Sequence, residues 1–260
     1  MLRFFRLFLR LVLFALWTLA LVPFQLIILL FSKDDVAYIL PRLWHRGVLK
    51  IANTQIILTG NIPLTGKNFY IGNHISSMDI PILGAHLIAS FVAKADVARY
   101  PLFGFLARVQ QTLFISRNPA HAEKAIAKIR QTLLANRSII LFPEGTSTDA
   151  SYIAPFKSSL FTLPIEFAHD GVSIVPFTLQ LISVEGSTDL TRARRNQFTL
   201  SPDVEFWQNF FSIMGLNEAV VRLHFHPPLA MTEGINRKNL AAQAHDIVSA
   251  PLPPLLPSKY

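Results

Sequence analysis

The sequence predicts a single α/β domain with a central mixed, largely parallel sheet flanked by helices. A hydrophobic membrane helix or helical hairpin precedes it. Three observations carry this. Beyond residue 50, short β-branched and aromatic runs alternate with segments of helical spacing. Ahead of them, Leu11 to Phe31 contains no charged residue. Of the 260 residues, 51% are hydrophobic, yet the formal net charge is +8, and the cations are scattered rather than run together. Scattered charge argues against a nucleic-acid tail and for an anionic surface such as lipid headgroups or an acidic carrier protein. The chain has no cysteine, which excludes a thiol nucleophile, a disulfide framework and a Cys-ligated metal. No cofactor or metal set is predicted.

Residues 1–32 read as a membrane-anchoring segment. Arg3, Arg6 and Arg10 stand among Leu and Phe, and the uncharged run that follows roughly matches a bilayer core. Pro23 and Gln25 interrupt it, so a single span and two half-length helices folded at Pro23 are both open. A signal peptide has the same order of charge and apolarity. The run is too long for one, and no small-residue cleavage site follows. The arginines put the N-terminus in the cytoplasm. Cations also lie beyond the run, at Lys33, Arg42, Arg46 and Lys50, which favours a domain facing the cytoplasm over a single crossing. Residues 33–50 read either as an interfacial linker, with Trp44 and its basic neighbours at the headgroups, or as an amphipathic helix packed on the domain.

The domain proper is expected over 51–250. Strands are predicted at Ile51–Thr59, Asn68–Ile71, Ser90–Lys94, Thr112–Ser116, Ser138–Phe142, Ser173–Ile182 (interrupted or ended near Pro176) and Val220–His226. Helices are predicted at Asp79–Leu87, Leu102–Val109, from Asn118-Pro119 onward, at Lys157–His169 and at Asn236–Ser249. Residues 184–218 read as irregular, with Arg192, Arg194 and Arg195 in a solvated loop or against lipid or carrier. A proline-rich tail occupies 251–260.

Three constellations carry chemistry. Asn73-His74, with Asp79 five positions after His74, stands where a strand gives way to a helix. A histidine there can take a proton from an alcohol, and a carboxylate on its other ring nitrogen fixes the tautomer. The competing reading is a capping box between Ser76 and Asp79. Phe142-Pro143-Glu144-Gly145-Thr146 ends a buried strand, where α/β folds present binding loops. The amides of Gly145 and Thr146 suit an oxyanion or phosphate, and Glu144 suits a hydroxyl. Phe114-Ile115-Ser116-Arg117 places an arginine just past a strand, which reads either as an anion clamp or as a solvated side chain, and Lys94 and Lys157 stand near element ends.

Taken in order, Asn-His-x4-Asp, Phe-Ile-x-Arg, Phe-Pro-Glu-Gly-Thr and Val175-Pro176 resemble the glycerolipid acyltransferase family, over about Gly60 to Phe177. Phe91-Val92-Ala93-Lys94, Pro101-Leu102-Phe103-Gly104 and Phe156-Lys157 strengthen the likeness. The resemblance implies a glycerolphosphate acyltransferase-like fold. It also implies transfer of a fatty acyl group from acyl-CoA or acyl carrier protein to the hydroxyl of a lysolipid. His74 would be the general base and Asp79 its orienter. Arg117 would bind the anionic headgroup, Glu144, Gly145 and Thr146 would shape the acceptor site, and Val175 and Pro176 would line the acyl or acceptor pocket. No metal or covalent intermediate is needed. A bacterial inner membrane, with the domain on its cytoplasmic side, would be the setting.

Two departures bear on the acceptor. Ser147 stands where phosphate-acceptor members carry arginine, and Gln111 where they carry glycine. Retention of Arg117 points to 1-acylglycerol-3-phosphate, giving phosphatidic acid. The Glu-Gly-Thr-Ser run points to the alternative, lyso-ornithine lipid. A non-catalytic lipid-binding protein of this fold would be expected to have lost the His-Asp pair, which is intact.

Overall fold

A computed structural model describes residues 2–63, 67–115, 119–167, 171–231 and 234–252, without the side chains of 119–125. Arg117, His169 and most of the proline-rich tail lie outside these residues.

Among the described residues seven strands form one sheet: β1 (Thr54–Gly60), β2 (Lys67–Gly72), β3 (Ala89–Lys94), β4 (Leu113–Ile115), β5 (Ser138–Leu141), β6 (Val172–Val184) and β7 (Ala219–Phe225). Their order is β1-β7-β6-β2-β5-β3-β4. β6, β2, β5, β3 and β4 are mutually parallel, and β7 runs antiparallel to β6 while pairing β1 in parallel. Side chains alternate across the sheet. Tyr70, Ile140 and Val175 join one core with α2 (Ile39–Ala52), α3 (Asp79–His86) and α8 (Phe206–Gly215). Phe69, Ile139 and Ile174 join another with α5 (Pro119–Leu134) and α9 (Arg237–Ser249).

The N-terminal segment is one continuous helix, α1 (Leu2–Phe31), with Pro23 inside it. The fold at Pro23 is not adopted, because both halves are seated on the domain. Before the proline, Arg6 donates to Gly215 O at 3.2 Å, and Arg10 to Met214 O at 3.3 Å and Asn217 O at 3.1 Å. Trp17 donates to Trp44 O and Trp44 to Thr18 Oγ1, across a contact so close that a Cβ at Gly47 would strike the Trp17 indole. After the proline, Gln25 donates to Ala37 O at 2.8 Å and Val109 O at 3.3 Å. The opposite side leaves Phe4, Phe8, Leu19, Phe24 and Leu30 exposed. The helix is long and apolar enough to cross a membrane.

Four further expectations change. Residues 39–52 are α2, packed between α1 and α3, and Asn53 in the left-handed region ends that helix, so β1 starts at Thr54 rather than Ile51. β6 runs unbroken through Pro176. The Pro176 carbonyl accepts from His226 N beyond the last β7 pair, so the ring's missing N–H costs no bond to β2. The helix expected from Lys157 is a 3-10 turn, Ser158–Phe161, followed by the short α6 (Thr162–Glu166). The stretch read as irregular holds the turn α7 (Arg192–Arg195) and the ten-residue α8, whose Glu205 and Gln208 form a capping box. Arg195 there pairs with Asp149 at 3.1 Å, and Arg194 with Asp189.

Candidate active site

β2 and β5 are adjacent and parallel, so their C-terminal ends bring the His74 turn beside the Phe142–Ser147 loop. Asn73 continues the strand pairing with its side chain. Its Nδ2 donates to Leu179 O at 2.8 Å, and Leu179 N donates to its Oδ1 at 2.7 Å. The backbone of His74 is held on both sides. His74 N donates to Glu144 Oε1 at 2.6 Å, and Thr148 N donates to His74 O at 2.9 Å. The ring stacks on Phe142, with centroids 4.3 Å apart and planes 19° from parallel.

His74 Nδ1 lies 2.6 Å from Asp79 Oδ2. The same oxygen accepts from Ile75 N at 2.6 Å and Ser76 N at 3.0 Å. Asp79 is fully buried, so these donors take the place of water at that oxygen. A carboxylate only accepts, so this bond puts a proton on His74 Nδ1, and in the neutral imidazole Nε2 is then the acceptor. Both roles weighed for Asp79 are present. It ties the turn amides as half of a capping box, and it orients the imidazole. The other half is absent, since Ser76 Oγ accepts from Met78 N and donates to Phe198 O.

Glu144 sits behind the histidine instead of facing a ligand. It is 2% exposed, and its second oxygen accepts from Ala154 N at 2.6 Å. Burial pushes its carboxyl up to about 7, against the pull of the His74 and Ala154 amides. Gly145 turns with φ +65°, and Lys157 Nζ lies where a Cβ would go.

A cavity of about 680 Å³ opens beside His74. Phe142, Gly145, Thr146, Ser147, Lys94 and Lys157 are among the residues that line it. Its apolar walls include Phe14, Leu21 and Val22 of α1, with Phe103 and Leu106 of α4 (Phe103–Val109). The structure thus brings together His74, Asp79, Gly145, Thr146, Lys94 and Lys157. It does not bring Val175 and Pro176 to the cavity. Both are buried in β6, paired with Tyr70 and Ile71. Arg117 lies outside the described residues. Sequence reasoning missed Asn209, which holds the turn after His74, and gave Phe142 no role. Asn209 had one faint signal, a polar residue inside the apolar run Phe206-Trp207-Gln208-Asn209-Phe210-Phe211. Among the described residues no group of three or more His, Asp or Glu side chains could hold a metal.

This arrangement can remove a proton from a hydroxyl brought to Nε2, next to a space shaped for a long apolar chain. Residues 55–180 match the family model described as Acyltransferase. The lyso-ornithine lipid O-acyltransferase of Brucella abortus is 29% identical over 240 residues, spanning 90% of this chain and 88% of that protein. The enzyme of the same name from Rhodobacter capsulatus is 32% identical over 182 residues, 69% of this chain and 64% of that one. The 1-acyl-sn-glycerol-3-phosphate acyltransferase of Borreliella burgdorferi is 30% identical over 150 residues, 55% and 58% of the two chains. The crystal structure of the 1-acyl-sn-glycerophosphate (LPA) acyltransferase PlsC from Thermotoga maritima superposes with a TM-score of 0.63 over 95% of each chain. Its identity is 18%, so the likeness is one of fold.

Proposed function

Through residues 55–180 the chain belongs to the acyltransferase family, and from that premise we propose that it O-acylates lyso-ornithine lipid at a membrane surface, using an acyl thioester. The observation that carries this reading is the His74–Asp79 pair, 2.6 Å apart, with His74 facing a cavity partly walled by α1. His74 Nε2 takes the acceptor's hydroxyl proton as the oxygen attacks the thioester carbonyl. The Thr146 and Ser147 amides make no hydrogen bond among the described residues, and with Lys157 they are the groups to face the carbonyl oxyanion. Collapse expels the thiolate, which takes the proton from the imidazolium. The products are the ester and a free thiol, and His74 returns to its starting state.

Two observations support this acceptor. Relatives that span most of the chain bear that name. Ser147, buried on the cavity wall, replaces the arginine of phosphate-acceptor members. The carboxylate of the ornithine headgroup would meet Lys157. The second reading, 1-acylglycerol-3-phosphate, is favoured by two lysines, Lys94 and Lys157, among the residues that line the cavity. Acyl-CoA and acyl carrier protein are both acidic and suit the +8 chain as donors.

The proposed setting is the cytoplasmic face of a bacterial inner membrane, with α1 lying in one leaflet. A crossing along the bilayer normal would drag α2, α4 and α8 into lipid, because α1 packs on all three. The test is thiol release from both donors, with a panel of lyso-ornithine lipid, lysophosphatidate and zwitterionic lysolipids. The expected result is lyso-ornithine-dependent release that His74→Ala abolishes, at a stability cost of about 1 kcal/mol. Wild-type rates in His74→Ala, or release that needs no acceptor, would overturn it.

A further inference from the structure

The turn that carries His74 and Asp79 does not stand by itself. Its far side is held by Asn209, a residue of α8 that is 1% exposed. Asn209 Oδ1 accepts from Ser77 Oγ at 2.6 Å and from Ser77 N at 3.2 Å. Its Nδ2 donates to Phe198 O and Thr199 O, both at 2.9 Å. All four hydrogen-bonding capacities of the amide are therefore used, and they join three separate stretches of chain. The 198–200 segment closes the frame. Ser76 Oγ donates to Phe198 O at 2.7 Å, and Leu200 N donates to Ile75 O at 2.8 Å. The backbone of Ile75, Ser76 and Ser77 is thus pinned from outside the turn.

That backbone also supplies the donors that fix Asp79. The amides of Ile75 and Ser76 aim at the oxygen that His74 Nδ1 uses. If Ser77 shifts, those amides shift, and the carboxylate moves relative to the imidazole. Asn209 does not touch His74, and it does not line the cavity. Its influence on chemistry can only run through the turn.

We infer that Asn209 is a positioning residue for acyl transfer, acting through Ser77 to hold the His74–Asp79 pair in reacting geometry. This rests on His74 being the base. The helix that carries Asn209 is also the one whose C-terminal end takes the Arg6 and Arg10 bonds of α1. The same ten-residue helix therefore seats the membrane segment at one end and the reacting turn along its side. A packed amide in this place sets kcat and leaves substrate affinity alone, because a displacement of order 1 Å in a catalytic pair costs about 10²-fold in rate.

The test measures kcat and KM for Asn209→Ala, Ser77→Ala, the double variant and Ser77→Thr, with lyso-ornithine lipid in mixed micelles, well below each melting temperature. Asn209→Ala should lower kcat about 30-fold, and Ser77→Ala about 10-fold, with KM within about threefold of wild type. The double variant should be no slower than Asn209→Ala, since both remove one connection. Ser77→Thr keeps a hydroxyl and should return kcat to within about threefold. The inference is overturned if kcat is unchanged in both single variants, if their losses multiply, or if only melting temperature moves. Ser77 lines the cavity, so a rise in its KM at constant kcat would make it a substrate contact and overturn the inference too. Should Asn209→Ala fail to fold, the Ser77 pair decides. His74→Ala measured alongside separates the two readings. If it is inactive while the Asn209 and Ser77 variants match wild type, only the positioning role fails. If it is active, the base itself is wrong.

Discussion

Replacing Asp79 by asparagine separates the two roles that its carboxylate combines. Oδ2 accepts three hydrogen bonds, from His74 Nδ1, Ile75 N and Ser76 N, while Oδ1 is buried with no partner. An amide oxygen placed at Oδ2 keeps all three bonds, the turn and the Nδ1–H tautomer. The amide nitrogen then occupies the site of Oδ1 and is left buried and unpaired, at a cost of about 1–3 kcal/mol in stability. What disappears is the negative charge beside the imidazolium that the proposed proton transfer forms. With charge centres about 4 Å apart and an effective dielectric near 20, that charge stabilises the transition state by about 4 kcal/mol. The expected loss in kcat for Asp79→Asn is therefore about 10³-fold with KM little changed. Thiol release at saturating acceptor measures it, and a thermal melt confirms that the variant is folded. A folded Asp79→Asn that keeps kcat within about tenfold of wild type would refute the argument. Asp79 would then be a cap, and the reaction would not pass through an imidazolium at His74.

Two further predictions concern Glu144 and topology. Burial raises Glu144 from 4.5 to about 7, so the folded chain keeps a proton there that the unfolded chain releases. The stability this proton contributes is fully present below pH 4.5 and is lost as pH rises towards 7, by at most about 3 kcal/mol at 1.36 kcal/mol per pH unit. Glu144→Gln should flatten that slope in denaturation curves taken between pH 4.5 and 8, and identical slopes would contradict it. In this cysteine-free chain, Ser151→Cys in the exposed loop after Asp149 should react with an impermeant thiol reagent only from the cytoplasmic side of the membrane. Reaction from the periplasmic side alone would reverse the proposed orientation.

Much of the fold could be read from local chemistry. β2, β3, β5 and β7 are short apolar runs bounded by turn residues, and they form within one or two residues of where the pattern puts them. α9 starts at the Asn236 cap, whose side chain accepts from Lys238 N and Asn239 N. The misses share a cause. α8 carries large aromatics on several sides, because both α1 and the 198–200 segment cover it, so its spacing lacks a clean polar face. Pro23 and Pro176 are breakers by local rule, and tertiary neighbours override both.

The sequence by itself determined which side chains are available for chemistry. His74 and Asp79 lie five positions apart, Gly145 can adopt a positive φ, α1 is apolar, and there is no thiol to serve as nucleophile. Those are properties of residue type and short spacing. Only the tertiary structure decided what each one faces. Glu144 is turned inward to hold the His74 backbone, Val175 and Pro176 are spent on pairing with β2, and Asn209, 135 positions beyond His74 in the chain, frames the turn. Direction and burial depend on which strands become neighbours, and the parallel β6-β2-β5 order arises from pairings such as Phe69 with Ile139 and Lys67 with Val172, far apart in the chain.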